Sequence, residues 1–143
     1  MPPDELSRDG VSICLAEYIE AKAPTFVPIL RYDIMAAGRI AGELRVRLGD
    51  HDDLKFHFGQ IGYEVSQAFR GRGYATMACQ LGLSVMRSLG YDEIWITCNP
   101  ENTASRRVCE KAGGVFAGIF EISPDHVMYA HGIRRKCRYR FPP

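Results

Sequence analysis

Apolar and polar residues alternate through VSICLAEY (11–18), the period of a half-buried strand. The same period runs through VPILRYDIMAAGRIAGELRVRLG (27–49) and breaks at Ala37-Gly38, where glycine permits a positive-φ turn. Those residues predict a second and a third strand. EAKAPTF (20–26) carries a proline and reads as a connection. GDHDDLK (49–55) is a polar loop, and FHFGQIGYEV (56–65) reads as the fourth strand. From Tyr74 the period changes. Ala78, Leu81, Val85 and Leu89 recur at three- and four-residue steps, a helical stripe that Gly90 stops. EIWITCN (93–99) is short and mostly apolar, a strand covered on both faces. NTASRRVCEKAGG (102–114) predicts a second helix, capped by Asn102, striped by Ala104, Val108 and Ala112, and ended by Gly113. VFAGIFEI (115–122) and HVMYAHGI (126–133) read as two last strands. Early hairpins followed by one β-helix-β crossover predict an α/β chain built on a mixed (α+β) sheet. No repeat or low-complexity linker divides it, so residues 1–143 are expected to form a single domain.

Composition narrows the function classes. The chain has 143 residues, 46% of them hydrophobic, enough for a core of its own. A formal net charge of +1 disfavours a generic nucleic-acid binder, so no nucleic-acid partner is expected. Five cysteines (Cys14, Cys79, Cys98, Cys109 and Cys137) include no C-x-x-C pair. That pattern predicts neither a disulfide framework nor a metal site, and it fits a reducing, cytoplasmic setting. The opening MPPDELSRDG has no apolar signal core and no run approaches a membrane span, so no membrane partner is expected. The basic run RRKCRYR (134–140) reads as a solvated edge strand.

Chemistry concentrates in FRGRGYATMA (69–78). Gly71 and Gly73 let backbone N–H groups turn inward without side-chain hindrance, and Arg70 and Arg72 add charge. The amides of residues 71 to 75, with the helix that starts near Tyr74, predict a nest for a phosphate. The loop meets the pattern Arg/Gln-x-x-Gly-x-Gly/Ala through Arg70, Gly73 and Ala75, and Asn102 with Ser105 supplies an Asn-x-x-Ser at the head of the next helix. In order and spacing, Ile61 to Gly114 resembles the GNAT family of acyl-CoA N-acyltransferases. IGYEVSQAFRGRGYA, TCNPENTASRRVCE and KCRYR are similar to phrases of one uncharacterised bacterial branch of it.

The resemblance implies a mostly antiparallel central sheet, splayed between the fourth and fifth strands, with acetyl-CoA in the gap and no metal. It implies that the pyrophosphate rests on Arg70, Gly71, Arg72, Gly73, Tyr74 and Ala75, and that pantetheine pairs with the backbone of Val65. Asn102 is either a cofactor-side contact or a helix cap alone. The implied activity is acetyl transfer to a primary amine by direct attack on the thioester in a ternary complex. The alternative is a non-catalytic acyl-CoA-binding module.

Many relatives carry a tyrosine four residues after the position of Ser105; here that residue is Cys109, read as a small buried apolar side chain. Ser105 remains as a hydroxyl near the sulfur or as an ordinary first-turn residue. On the fourth strand, alternation puts Tyr63 on the face of Val65 and turns Glu64 away. Tyr63 is therefore the candidate pocket hydroxyl, Glu43 on the third strand the candidate carboxylate, and His57 a further possibility. The acceptor is expected to be a small-molecule or protein amine. The connection IEAKAPTF (19–26) is too short for the two helices such domains usually insert there, which predicts an open acceptor pocket or one completed by a second subunit in a homodimer.

Overall fold

Strand β3 (Ile29–Ala36) buries every second residue, Leu30, Tyr32, Ile34 and Ala36, as its alternation predicts. The computed structural model describes all of residues 1–143. Strands β1 (Glu5–Arg8), β2 (Val11–Ile19), β3, β4 (Arg39–Arg47) and β5 (Ile61–Val65) lie side by side in sequence order, every ladder antiparallel. Ala37 and Gly38 close the β3–β4 hairpin with φ of 51° and 73°, both left-handed. Helix α1 (Tyr74–Ser88) packs on this sheet through Ala78, Leu81, Val85 and Met86. At Gly82 a Cβ would sit 3.3 Å from the Leu44 methyls, so glycine is what lets the helix approach this closely. After α1 come β6 (Ile94–Cys98), helix α2 (Thr103–Lys111), β7 (Val115–Glu121), the short helix α3 (Val127–Ala130) and β8 (Arg135–Phe141). The last three strands make a second antiparallel sheet in the order β6-β8-β7. The architecture is thus α/β with an antiparallel main sheet, as expected.

The core runs through both sheets, and a buried polar residue joins them. Gln60 has no exposed surface, and every polar group of its side chain is used. Its N–H donates to the Trp95 carbonyl (2.7 Å), its Oε1 accepts from the Trp95 N–H (2.8 Å), and its Nε2 donates to the Gly49 carbonyl (2.8 Å). That bridge ties the start of β5 to β6, although the two strands belong to different sheets.

Four expectations are corrected. A first strand, β1, lies within the polar opening segment, so the strand expected at 11–18 is β2 and the expected fourth and fifth strands are β5 and β6. Residues Leu54–Phe58 form a π-helical turn in place of the front half of the fourth strand. Residues 127–130 are helical, where a strand was expected. The same contacts explain both changes. The Asp53 carboxylate lies 2.9 Å from His57 Nδ1 and 2.8 Å from His126 Nε2, and the two imidazoles stack at 3.8 Å. This clasp pins the β4–β5 connection to the α3 loop. Finally, RRKCRYR is not a solvated edge, because β8 is the central strand of its sheet. Cys137, Tyr139 and Phe141 are buried, and the Arg138 guanidinium sits between the rings of Phe56 (3.7 Å) and Trp95 (3.9 Å).

The β2–β3 connection, residues 20–28, contains no helix, in keeping with its length. Tyr18 and Phe26 beside it are exposed. No helix is long and apolar enough to cross a membrane.

Candidate functional site

The glycine-arginine loop is anchored at one end and free at the other. Phe69 is buried, with Arg39 over its ring and Tyr74 beside it. Arg70 folds back so that its Nε donates to the Val65 carbonyl (2.9 Å), bracing the loop on β5. Gly71 and Gly73 then take φ of 79° and 78°, and nothing lies within 4 Å of where a Gly71 Cβ would be. The first backbone bond of α1 runs from the Met77 N–H to the Gly73 carbonyl (3.2 Å). The N–H groups of residues 71–76 therefore donate to no backbone acceptor. Six free amides around two left-handed glycines, at a helix N-terminus, make a concave anion site.

These amides border a cleft of about 600 Å³ between β5, the loop and α2. Of the residues singled out in the sequence, Tyr63, Val65, Arg70, Gly71, Gly73, Tyr74, Ala75, Asn102 and Ser105 all line it. Arg72 is exposed and does not, and Glu43 lies elsewhere. Asn102 caps α2, its Oδ1 accepting the Ser105 N–H at 3.1 Å. Two cations passed unremarked in the sequence, Arg107 and Lys111, also line the cleft from α2. They share a helical face with Ala104 and Val108, so the expected apolar stripe borders the cleft at these two positions. Cys109 is the buried residue of that helix.

At the β5 end of the cleft, one phenol gathers three groups. The Tyr63 hydroxyl lies 3.1 Å from Ser105 Oγ, donates to the Ser105 carbonyl at 3.4 Å, and lies 3.8 Å from Cys109 Sγ. Burial, followed by the neighbouring Cys109 and Cys79 thiols, pushes the Tyr63 phenol far above its ordinary value. It stays a protonated donor throughout the working pH range. Burial likewise pushes the Cys109 thiol up to about 12, so it too stays protonated. Tyr63 thus brings a phenol from β5 to the neighbourhood of Cys109 on α2.

On the outer face of the main sheet a second hollow, about 360 Å³, is lined by Arg31, Asp33, Ile40, Glu43, Glu64 and Ser66, among others. Asp33, Glu43 and Glu64 are successive cross-strand partners, so three carboxylates stand in a row across β3, β4 and β5. Glu43 is held by Arg45 (2.6 Å) and Arg31 (3.7 Å). Glu64 forms no ion pair, and it borders both the hollow and the main cleft. Alternation correctly turned it from Tyr63, yet that orientation sets it on the rim between the two spaces. His57 is committed to Asp53 and borders neither.

The family model of the acetyltransferase (GNAT) domain matches residues 5–115. No curated protein matches the chain. Among solved structures, the microcin C7 self-immunity acetyltransferase MccE in complex with acetyl-CoA and AMP is 21% identical with a TM-score of 0.62, over 80% of this chain and 61% of that one. Mycobacterium smegmatis RimJ in complex with CoA-disulfide is 26% identical with a TM-score of 0.61, over 80% and 53%. RimL, a ribosomal L7/L12 α-N-protein acetyltransferase in complex with coenzyme A, is 20% identical with a TM-score of 0.61, over 80% and 62%. The chain therefore spans between about half and three fifths of the length of these structures.

Proposed function

The chain belongs to the GNAT acetyltransferase family, and from that premise we propose that it transfers an acetyl group from acetyl-CoA to a primary amine. The observation that carries this reading is the row of six free amides at 71–76, in one cleft with the Tyr63–Ser105 pair. The cradle fits a diphosphate. Two glycines without Cβ atoms leave its floor open, and Arg70, Arg107 and Lys111 line the same cleft with positive charge. Val65 lies between the cradle and Tyr63 along the cleft wall, in keeping with backbone pairing to pantetheine in a gap between β5 and β6. One constraint bears on that role: the Val65 carbonyl already accepts from Arg70.

When bound, acetyl-CoA supplies the activated acyl group and a thiol leaving group. The residues handle protons. An amine of the lysine type, with a reference pKa of about 10.4, arrives charged and must lose a proton before it attacks. We assign that task to Glu64 in place of Glu43, whose carboxylate is taken by Arg45 and Arg31. Glu64 is free of ion pairs and borders the outer hollow, the natural side for an acceptor. Tyr63, kept protonated by burial and linked to the Ser105 hydroxyl, donates toward the departing sulfur. Attack is direct, so no side chain carries the acetyl group.

This division of labour separates two neighbours. Tyr63→Phe is expected to lower kcat about tenfold, less than the roughly 10²–10⁴ of a positioned proton donor because the Ser105 hydroxyl stays in place, with acetyl-CoA affinity unchanged. Cys109→Ala should hold kcat within about twofold and lose about 1 kcal/mol of stability from the missing volume, measured by thermal melting. A larger kcat loss in Cys109→Ala than in Tyr63→Phe would reverse the roles.

The short β2–β3 connection leaves the acceptor side open, which supports an extended acceptor such as a protein N-terminus, the class RimL acts on by name. Thiol release from acetyl-CoA, measured across small amines, amino acids and N-terminal peptides, tests the proposal. Release with at least one amine is the expected result. Acetyl-CoA binding without release from any of them would leave an acyl-CoA-binding module in its place.

A further inference from the structure

Cys98 and Cys137 face each other across the β6–β8 ladder as direct register partners. Directly opposed residues of an antiparallel pair have Cα atoms about 4.5–5.5 Å apart, inside the span of about 4.4–6.8 Å that disulfides bridge. Register partners point to the same side of a sheet, and here that side is inward, since Cys98 keeps 6% of its surface and Cys137 none. Both are free thiols. The Cys137 thiol and the Ser105 hydroxyl are both near enough to the Cys98 thiol to influence its ionisation. Ser105 lines the cleft, so Cys98 sits directly behind a residue of the cleft wall. Cys109 and Cys79 are also buried nearby, but both sit on helices and have no ladder partner.

We propose that Cys98 and Cys137 form a redox-active dithiol, which a low-molecular-weight disulfide converts into a cross-strand disulfide. The exchange balances in two steps. The Cys98 thiolate attacks one sulfur of the small disulfide, forming a mixed disulfide and releasing one thiolate. The Cys137 thiolate then attacks the Cys98 sulfur, forming the protein disulfide and releasing the second. Two protein thiols are oxidised by two electrons, one small disulfide is reduced to two thiols, and the two protein protons end on those products. Cys98 is the entry residue because it alone of the pair retains exposure. Cys137 resolves. Burial keeps the Cys98 thiol at about 11, so exchange is slow at neutral pH and should quicken about tenfold per pH unit below that value. Closing the bond commits the Cys98 sulfur to β8 and removes the thiol that neighbours Ser105.

The test uses the full folded chain and glutathione disulfide in excess at pH 9, followed by alkylation in denaturant and peptide mapping. Cys14, the more exposed thiol, serves as the internal control for reaction. The expected product is a Cys98–Cys137 cross-linked peptide, reversed by dithiothreitol. Cys137→Ser should stop at a glutathione adduct on Cys98, and Cys98→Ser should leave Cys137 unmodified. Recovery of both residues as alkylated thiols, while Cys14 carries glutathione and circular dichroism reports an intact fold, overturns the proposal. So does a cross-link in which Cys109 replaces either partner.

Discussion

Gly73→Trp should lower acetyl-CoA affinity by at least about 100-fold, close to 3 kcal/mol, while the chain stays folded. Gly73 holds the N-cap position of α1 with φ 78° and borders the cleft among the six free amides. An indole there covers the nest and denies a diphosphate the contact on which the site depends. The substitution also puts a side chain on left-handed backbone, which costs roughly 1–2 kcal/mol. That strain is tolerable, because α1 is held by seven buried residues further along, from Ala78 to Met86. Gly73→Ala carries the same strain without the bulk, and it should lose far less affinity. Calorimetric titration with acetyl-CoA and a thermal melt of each variant separate the two effects. Unchanged affinity in folded Gly73→Trp would remove this loop from the cofactor site.

How much of this was legible depends on whether a residue's neighbours in sequence are also its neighbours in space. The β3–β4 hairpin was legible, because alternation and the Ala37-Gly38 turn are local. So were α1, the Asn102 cap and the left-handed glycines at 71 and 73, each set by a few consecutive residues. Residues 56–58 were not. An aromatic-His-aromatic run has the period of a strand, and what makes it helical comes from elsewhere in the chain: the stacking of His126 on His57, and Arg138 over Phe56. In β8 the alternation from Lys136 to Phe141 was present, but three cations on one face argued for solvent. Aromatic partners from β6 and the 54–58 turn cover Arg138 instead. Arg107 and Lys111 drew no reading from the sequence, because only the packing of α2 beside the loop turns them toward the same cleft as Gly73.

Glu64→Gln should lower kcat by about 100-fold and leave acetyl-CoA affinity unchanged, since a positioned base contributes about 10²–10⁴. Strand periodicity made Glu64 look misdirected, because it faces away from Tyr63. In the proposed mechanism the acceptor enters from the outer side of β5, and Glu64 is the residue that borders both spaces. The pH profile distinguishes a base from a structural carboxylate. Without a base, reaction must wait for the small neutral fraction of an amine with pKa about 10.4, so the rate of Glu64→Gln should climb about tenfold per unit between pH 7 and 9. The parent chain should level off at lower pH. Glu43→Gln is the matched control on the neighbouring strand. It removes a carboxylate held by Arg45 and Arg31, and it should change kcat by less than about threefold while keeping the parent pH profile. If Glu64→Gln instead keeps parent kcat and profile while Glu43→Gln loses both, the proton leaves through β4, and the outer hollow must be read around Glu43.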